Sequence, residues 1–345
     1  MQPSARPKWV QGLMFLGGMA AVALIGWLVM QLLPQKPLPE GWLRLTPPRD
    51  VMALVAYQGE IWAGGRDGVV ALDPADGSVL REVVADVPMD YVTGIATSDR
   101  SGDLWISHMR GVSHYNGVGW STLTEANGLT AGRALAVLVA GDGSLWVGTE
   151  QGVARCRQDQ CRGYTAGDGL VTTGCAYLFE DSRSRIWCGN GYVPEAGVSI
   201  FDGTRWQSMP DQDRLIHPML NTMLETPDGA LWFGLGFSAE GGLTVNHNGT
   251  WQSLTKTDGL AGAKVRYLFQ DQAGGIWIGS EYNGMLYLGS HGLDNLGSGQ
   301  IFTPDEGLAG FEVKAMLQDS QGTLWLGTEL GLTRMSYEAW QSLAD

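Results

Sequence analysis

Charge is scarce in this chain, and basic charge is scarcer still. Asp, Glu, Lys and Arg make up 17% of 345 residues, and 22 Lys and Arg face 36 Asp and Glu, a formal net charge of −14. From residue 41 onward, 19 bases oppose 35 acids, a net of −16. So acidic a body repels phosphate backbones, which argues against DNA or RNA as a partner. Helix formers such as Lys, Glu and Arg are too few for a large helical bundle, and 44% hydrophobic residues is too apolar for disorder. Histidine is rare too. His108, His114, His217, His247 and His291 show no His-x-x-x-His or His-x-Glu spacing, so neither a zinc site nor any other metal or cofactor is expected. What the chain has in plenty is glycine, 50 residues, roughly twice the usual share. That composition suits many turns and close backbone packing.

Between Trp9 and Leu33 no charged residue occurs. Some twenty helical residues cross a hydrocarbon layer of about 30 Å, so residues 9–33 are expected to be a transmembrane anchor behind a short tail, 1–8. The competing reading is a cleaved signal peptide, whose apolar region is normally about 7–15 residues and ends at a small-residue site. Here the apolar stretch is longer and runs into Leu32-Leu33-Pro34-Gln35. Pro34, Pro37 and Pro39 make 34–40 an extended, semi-rigid linker to a domain over 41–345. Lys and Arg near the span are nearly balanced, with Arg6 and Lys8 before it and Lys36 after it, so orientation needs a second argument.

Within 41–345 one phrase recurs: a turn, an aliphatic residue, a Trp, one more residue, usually apolar, and usually a Gly. Its tryptophans are Trp62, Trp105, Trp146, Trp187, Trp232, Trp277 and Trp325, spaced by 43, 41, 41, 45, 45 and 48 residues. Seven units of this length fit four-stranded propeller blades. The phrase reads as a short strand between turns, and neighbouring strand residues point to opposite faces. Both the Trp and its successor are apolar in nearly every copy, so both faces must be buried. Blades stacked in a ring provide this, and the expected fold is an all-β, seven-bladed propeller. Two phrases compete for the last outer strand, Trp340-Gln341-Ser342-Leu343 and Trp42-Leu43-Arg44-Leu45. The amino-terminal one is expected to close the ring, which removes free sheet edges.

Thr257-Asp258-Gly259-Leu260, Val265 to Asp271 and Gly275-Ile276-Trp277-Ile278-Gly279 resemble the two-component regulator propeller repeat, as do Thr303 to Leu308 and Gln318 to Thr328. The resemblance extends over nearly all of 41–345, most strongly in units three, six and seven. It implies an extracytoplasmic sensor-type propeller of the kind carried by membrane histidine kinases. No kinase or DNA-binding segment follows the propeller in this sequence, so the resemblance carries the fold and not a signalling output.

Cys156 and Cys161 stand where other units place bulky residues, Tyr115 and Trp120 or Phe201 and Trp206. They flank a hairpin loop and should face each other, so a disulfide is expected there, with free thiols the alternative. Disulfides persist in oxidising compartments. This favours a bacterial cytoplasmic-membrane protein with its amino terminus in the cytoplasm and the propeller in the periplasm or beyond. Cys175 and Cys188 read as small buried hydrophobes, out of register for a second bridge.

Turns such as Asp319-Ser320-Gln321-Gly322 read as local backbone chemistry. Loops joining strands two to three and four to one emerge on one propeller face, and they hold Glu125, Glu150, Asp168, Glu195, Glu240, Asp258, Glu281, Asp305, Glu306 and Glu329. They are the candidate partner-binding residues, against the plain alternative of a solvated face. An insertion in unit six, carrying His291 and Asp294, is a candidate contact element on the opposite face. The expected function is non-enzymatic: an interaction or scaffolding subunit of a larger membrane assembly, an energy-transducing one being a possible setting. The alternative is a sensor that binds a small molecule and signals through a separate chain. Pro227 to Phe233 also resembles, faintly, streptogramin-lyase propellers, whose His, Glu and metal arrangement has no counterpart here.

Overall fold

The computed structural model describes residues 36–98, 100–157, 160–190, 196–290, 292–293 and 299–342. The expected anchor at 9–33, the tail before it, Glu195, His291 and Asp294 lie outside the described residues. No helix among the described residues is long and apolar enough to cross a membrane.

Twenty-eight strands among the described residues form seven four-stranded antiparallel sheets. Blade three shows the pattern in Ala134–Val139, Leu145–Thr149, Gly152–Arg157 and Gln160–Tyr164. Each inner strand touches those of the blades on either side, and blade seven's touches blade one's. The chain is a seven-bladed propeller. Second strands are buried along their whole length, as in Leu145–Thr149, Ile276–Ser280 and Leu324–Thr328. Their two faces pack between neighbouring blades. Trp146 of blade three lies against Cys188, Phe201 and Trp206 of blade four, and Trp187 of blade four against Phe233 of blade five.

The buried indoles create a polar problem, since an unpaired N–H is costly inside a core. In three blades an aspartate six residues earlier solves it. Trp187, Trp277 and Trp325 donate Nε1–H to Oδ2 of Asp181, Asp271 and Asp319 at 2.8, 2.8 and 2.9 Å. The other carboxylate oxygen accepts two backbone amides of the turn, those of Gln321 and Thr323 in the case of Asp319. The turn, Asp-x-x-Gly in blades six and seven and Asp-x-x-Ser in blade four, is therefore also the anchor of the Trp behind it.

Blade seven is closed by the amino-terminal strand Trp42–Leu45, which pairs with Gly331–Met335. Trp42 stands opposite Met335, the position that Trp340 would have taken as an outer-strand residue. With that edge occupied, the phrase around Trp340 is not a strand. Tyr337–Gln341 is a short helix, α1, whose N-cap Ser336 accepts from the Ala339 amide. Trp340 is buried from outside the blade and donates Nε1–H to the Gly322 carbonyl at 2.7 Å.

The phrase Thr-x-x-(Asp/Asn/Glu)-Gly-Leu opens four of the blade-to-blade loops. The backbone amides of Thr124, Thr165, Thr255 and Thr303 donate to the side chains of Asn127, Asp168, Asp258 and Glu306. The next glycine takes positive φ, between 96° and 133°. At Gly128 a Cβ would lie 2.3 Å from the Cys161 carbonyl oxygen, so both conformation and space demand glycine. The following leucines, Leu129, Leu170, Leu260 and Leu308, are buried.

Cys156 and Cys161 form the expected disulfide, opposite each other in register with Cα atoms 4.0 Å apart. The aromatic pairs Tyr115–Trp120 and Phe201–Trp206 occupy the same register. The reading of Cys175 and Cys188 is corrected: they form a second disulfide, Cα atoms 5.7 Å apart, leaving no free cysteine among the described residues. Ladder counting pairs Cys188 with Leu178, which separates the two cysteines. The ladder, however, begins only at Tyr177. Cys175 lies before it, its amide bonded back to Thr149 of blade three.

Candidate recognition site at the mouth of the central channel

The inner strands begin at the face that carries the two-to-three and four-to-one loops. In blades three, five, six and seven the second residue of the inner strand interrupts the ladder as a β-bulge, at Leu135, Asn221, Arg266 and Lys314. A bulge leaves its extra residue unpaired and re-aims its side chain. All four line one cavity of about 270 Å³ at the channel mouth, together with residues from the other three blades.

The cavity has two chemically distinct sides. Blades one to four contribute apolar groups such as Met52, Leu54, Ile95, Leu135 and Leu178. Blades six and seven contribute Lys264, Arg266 and Lys314. Their carboxylate partners sit behind them on the loops and do not line the cavity. Lys264 Nζ lies 2.8 Å from Glu281, Arg266 Nε 3.2 Å from Glu312, and Lys314 Nζ 2.9 Å from Glu312 and in contact with Asp50. Burial alone would lower the Lys314 ammonium, but the hydrogen bond to Asp50 and the charge of Glu312 hold it above the ordinary lysine value. Glu329 supports this group from outside by accepting the backbone amides of Phe311 and Glu312 at 2.9 Å each. Deeper on the inner strands, Tyr177 of blade four accepts from the Met223 amide of blade five and donates to its carbonyl. Burial pushes its phenol up to about 12.

The described members of the expected acidic rim are on this face, and most of them have local work. Asp168, Asp258 and Glu306 cap the loops described above. Glu150 pairs with Arg133, Glu125 accepts from the Gly132 amide, and Glu281 and Glu329 belong to the channel-mouth group. Glu240 is exposed on the third strand of blade five, and Asp305 follows Thr303 in its loop, its amide bonded to the Thr303 hydroxyl. Around the mouth stand exposed apolar groups, Phe237, Tyr282, Phe311 and Leu330, with Tyr91 and Met109 further round. Tyr282 and Tyr91 hold φ of 69° and 53°, a region bulky residues rarely adopt. Phe237 lies under Lys264, ring centroid 5.8 Å from Nζ. Sequence reasoning missed Lys264, Arg266 and Lys314. Their one visible signal was basic residues at the head of inner strands in a base-poor chain.

On the opposite face a cleft of about 730 Å³ between blades five and six is lined by Trp232, His247, Gln252 and Gln270, with Gly292 and Leu293 of the blade-six insertion. Two of the described histidines are held by structural partners. His108 is buried against Ser113 Oγ at 2.9 Å, and the His114 ring stacks on Trp105 with centroids 3.7 Å apart. Among the described residues no three His, Cys, Asp or Glu side chains are placed to hold a metal.

Residues 259–282 and 310–329, in blades six and seven, match the two-component regulator propeller family. These two segments are similar to two-component regulator propeller repeats. The match covers the text around Trp277 and Trp325 whose resemblance was read from the sequence. No curated protein compared with the chain matches it. Among solved structures, the extracellular domain of a hybrid two-component system, BT3049 from B. thetaiotaomicron, is similar with a TM-score of 0.69 at 17% identity, over 87% of this chain. The chain spans 42% of that protein's length. YCF48 bound to a D1 peptide is similar with a TM-score of 0.61 at 15% identity, over 88% of this chain and 99% of that one. The WD40 propeller domain of Doa1 follows at 0.59 and 13%, over 85% and 94%. At these identities the likeness is one of fold.

Proposed function

We propose that this chain is a non-enzymatic recognition propeller, held at a membrane through residues 9–33 on the extracytoplasmic side, that docks a partner on its channel-mouth face as a subunit of a larger membrane assembly. The observation that carries this reading is the character of that face. Exposed aromatics, two of them on left-handed backbone, surround a mouth where every cation already has a carboxylate partner. Strained, exposed aromatics persist where they have a use, and neutralised charge with aromatic tips suits a protein interface better than a solvated surface. The D1 peptide carried by YCF48 gives a precedent for a propeller of this shape receiving a polypeptide.

Affinity capture of the full chain from membranes in mild detergent tests the reading. Companions should be retained by the parent protein and lost from a Phe237→Asp/Tyr282→Asp variant of unchanged thermal midpoint. Absence of companions, or capture indifferent to the variant, overturns it. Likeness to the extracellular domain of a two-component system favours a second reading, a sensor signalling through a separate chain. Thermal shift against small molecules separates the two, because a specific ligand raises the midpoint.

A further inference from the structure

From the channel mouth we infer a ligand class: a single carboxylate carried on an aliphatic body, supplied by a polypeptide C-terminus or by a small free acid. The inference rests on the proposed recognition face and names what its centre accepts. Arg266 is the key residue. Its side chain is 15% exposed and lines the cavity. Its only charged contact among the described residues is Nε with Glu312, and that nitrogen is buried with no hydrogen bond of its own. A guanidinium has five N–H donors. Here none finds a hydrogen-bond acceptor among the described residues, although the group is held in a cavity. On either side Lys264 and Lys314, each 9% exposed, are fixed by their carboxylates from behind. Little rotamer freedom is left to lose on binding.

The balance of charge sets the ligand's valence. Lys264, Arg266 and Lys314 contact Glu281, Glu312 and Asp50, so these six charges cancel one another before anything binds, with Glu329 bound to backbone amides outside them. One added negative charge can share the unused donors of Arg266 in bidentate fashion. A polyphosphate or polyanion would meet the field of an acidic protein. Across the cavity the side chains of Leu135, Ile95, Met52 and Leu178 are apolar, with Thr93 and Tyr177 beside them, which favours an aliphatic body attached to the anion. The volume is at the low end for ligand pockets, which run upward from about 300 Å³. It suits one residue-sized group, and a longer ligand would run outward over Phe237 and Tyr282.

The test is calorimetric titration of the full chain in detergent with N-acetyl-leucine, with the peptide acetyl-Ala-Ala-Ala-Leu, and with the C-terminal amide of each. We expect the free carboxylates to bind and the amides not to. Binding should weaken with added salt, and by about tenfold or more in Arg266→Gln. Leu135→Asp, on the apolar side, should weaken it independently. Tighter binding of the peptide than of N-acetyl-leucine marks a chain terminus as the source; equal binding marks a free acid. The inference is overturned if no carboxylate binds, if the amides bind as well, or if Arg266→Gln binds as the parent does at an unchanged thermal midpoint. Companions still captured through Phe237 and Tyr282 in that case would leave the recognition face standing and remove only its ligand class.

Discussion

Asp319 receives the indole N–H of Trp325 on one carboxylate oxygen and two backbone amides of its own turn on the other. One residue thus fixes the turn between first and second strands and the largest side chain of the blade. Asp319→Ala leaves an indole N–H and two turn amides without acceptors. Replacing a buried acceptor in this way costs about 2–4 kcal/mol, expected as a lower midpoint in urea unfolding.

Blade five supplies the converse case. Thr226 stands where the aspartate would be, and the buried Trp232 Nε1 has no hydrogen-bond partner among the described residues. The Thr226 hydroxyl instead binds Asp228. Thr226→Asp, with Asp228→Gln to avoid a second carboxylate, places the acceptor used in blades six and seven. A gain of about 1 kcal/mol is expected, read from the same unfolding curve.

Much of this was legible beforehand, because it rests on local text. The spacing of Trp62 to Trp325, the two-sided apolar second strands and the placing of Cys156 and Cys161 at an aromatic-pair position all follow from strand geometry. The channel mouth was not legible for a definite reason. Leu135, Asn221, Arg266 and Lys314 reach it through bulges, and a bulge shifts which side chain faces inward without altering the residues that spell the strand. Cys175 was misjudged on similar grounds, since a ladder was extended one bend too far. Trp340 carried the right phrase, but Trp42 already held the edge.

Both cysteine pairs are expected to be oxidised in the mature protein. Thiol titration of unfolded protein should find no free thiol before reduction and four after it. By loop-closure entropy, removing Cys156–Cys161 costs about 2 kcal/mol and removing Cys175–Cys188 about 3 kcal/mol. Equal midpoints for Cys175→Ala/Cys188→Ala and the parent would count against the second bridge.

His108 gives a dependence on pH. Burial foremost, then the charge of Arg110, lowers its pKa from 6.5 to about 4, against the weaker pull of Asp86 and Asp90. Between those values the unfolded chain holds a proton that the folded chain refuses. Its contribution is therefore complete above pH 6.5 and is lost as pH falls toward about 4, by up to about 3 kcal/mol in all. Unfolding midpoints measured from pH 7 to pH 4 should fall less steeply for His108→Gln than for the parent.

Trp42, among the first residues of the propeller to be made, is opposite Met335, among the last. Six blades can assemble in the order they leave the ribosome, but the seventh must wait for a strand set aside since the beginning. The ring is therefore sealed only when Trp42–Leu45 pairs with Gly331–Met335. Until then the exposed edge of Gly331–Met335 is the place where a chaperone, or a strand from another molecule, competes with the protein's own first strand.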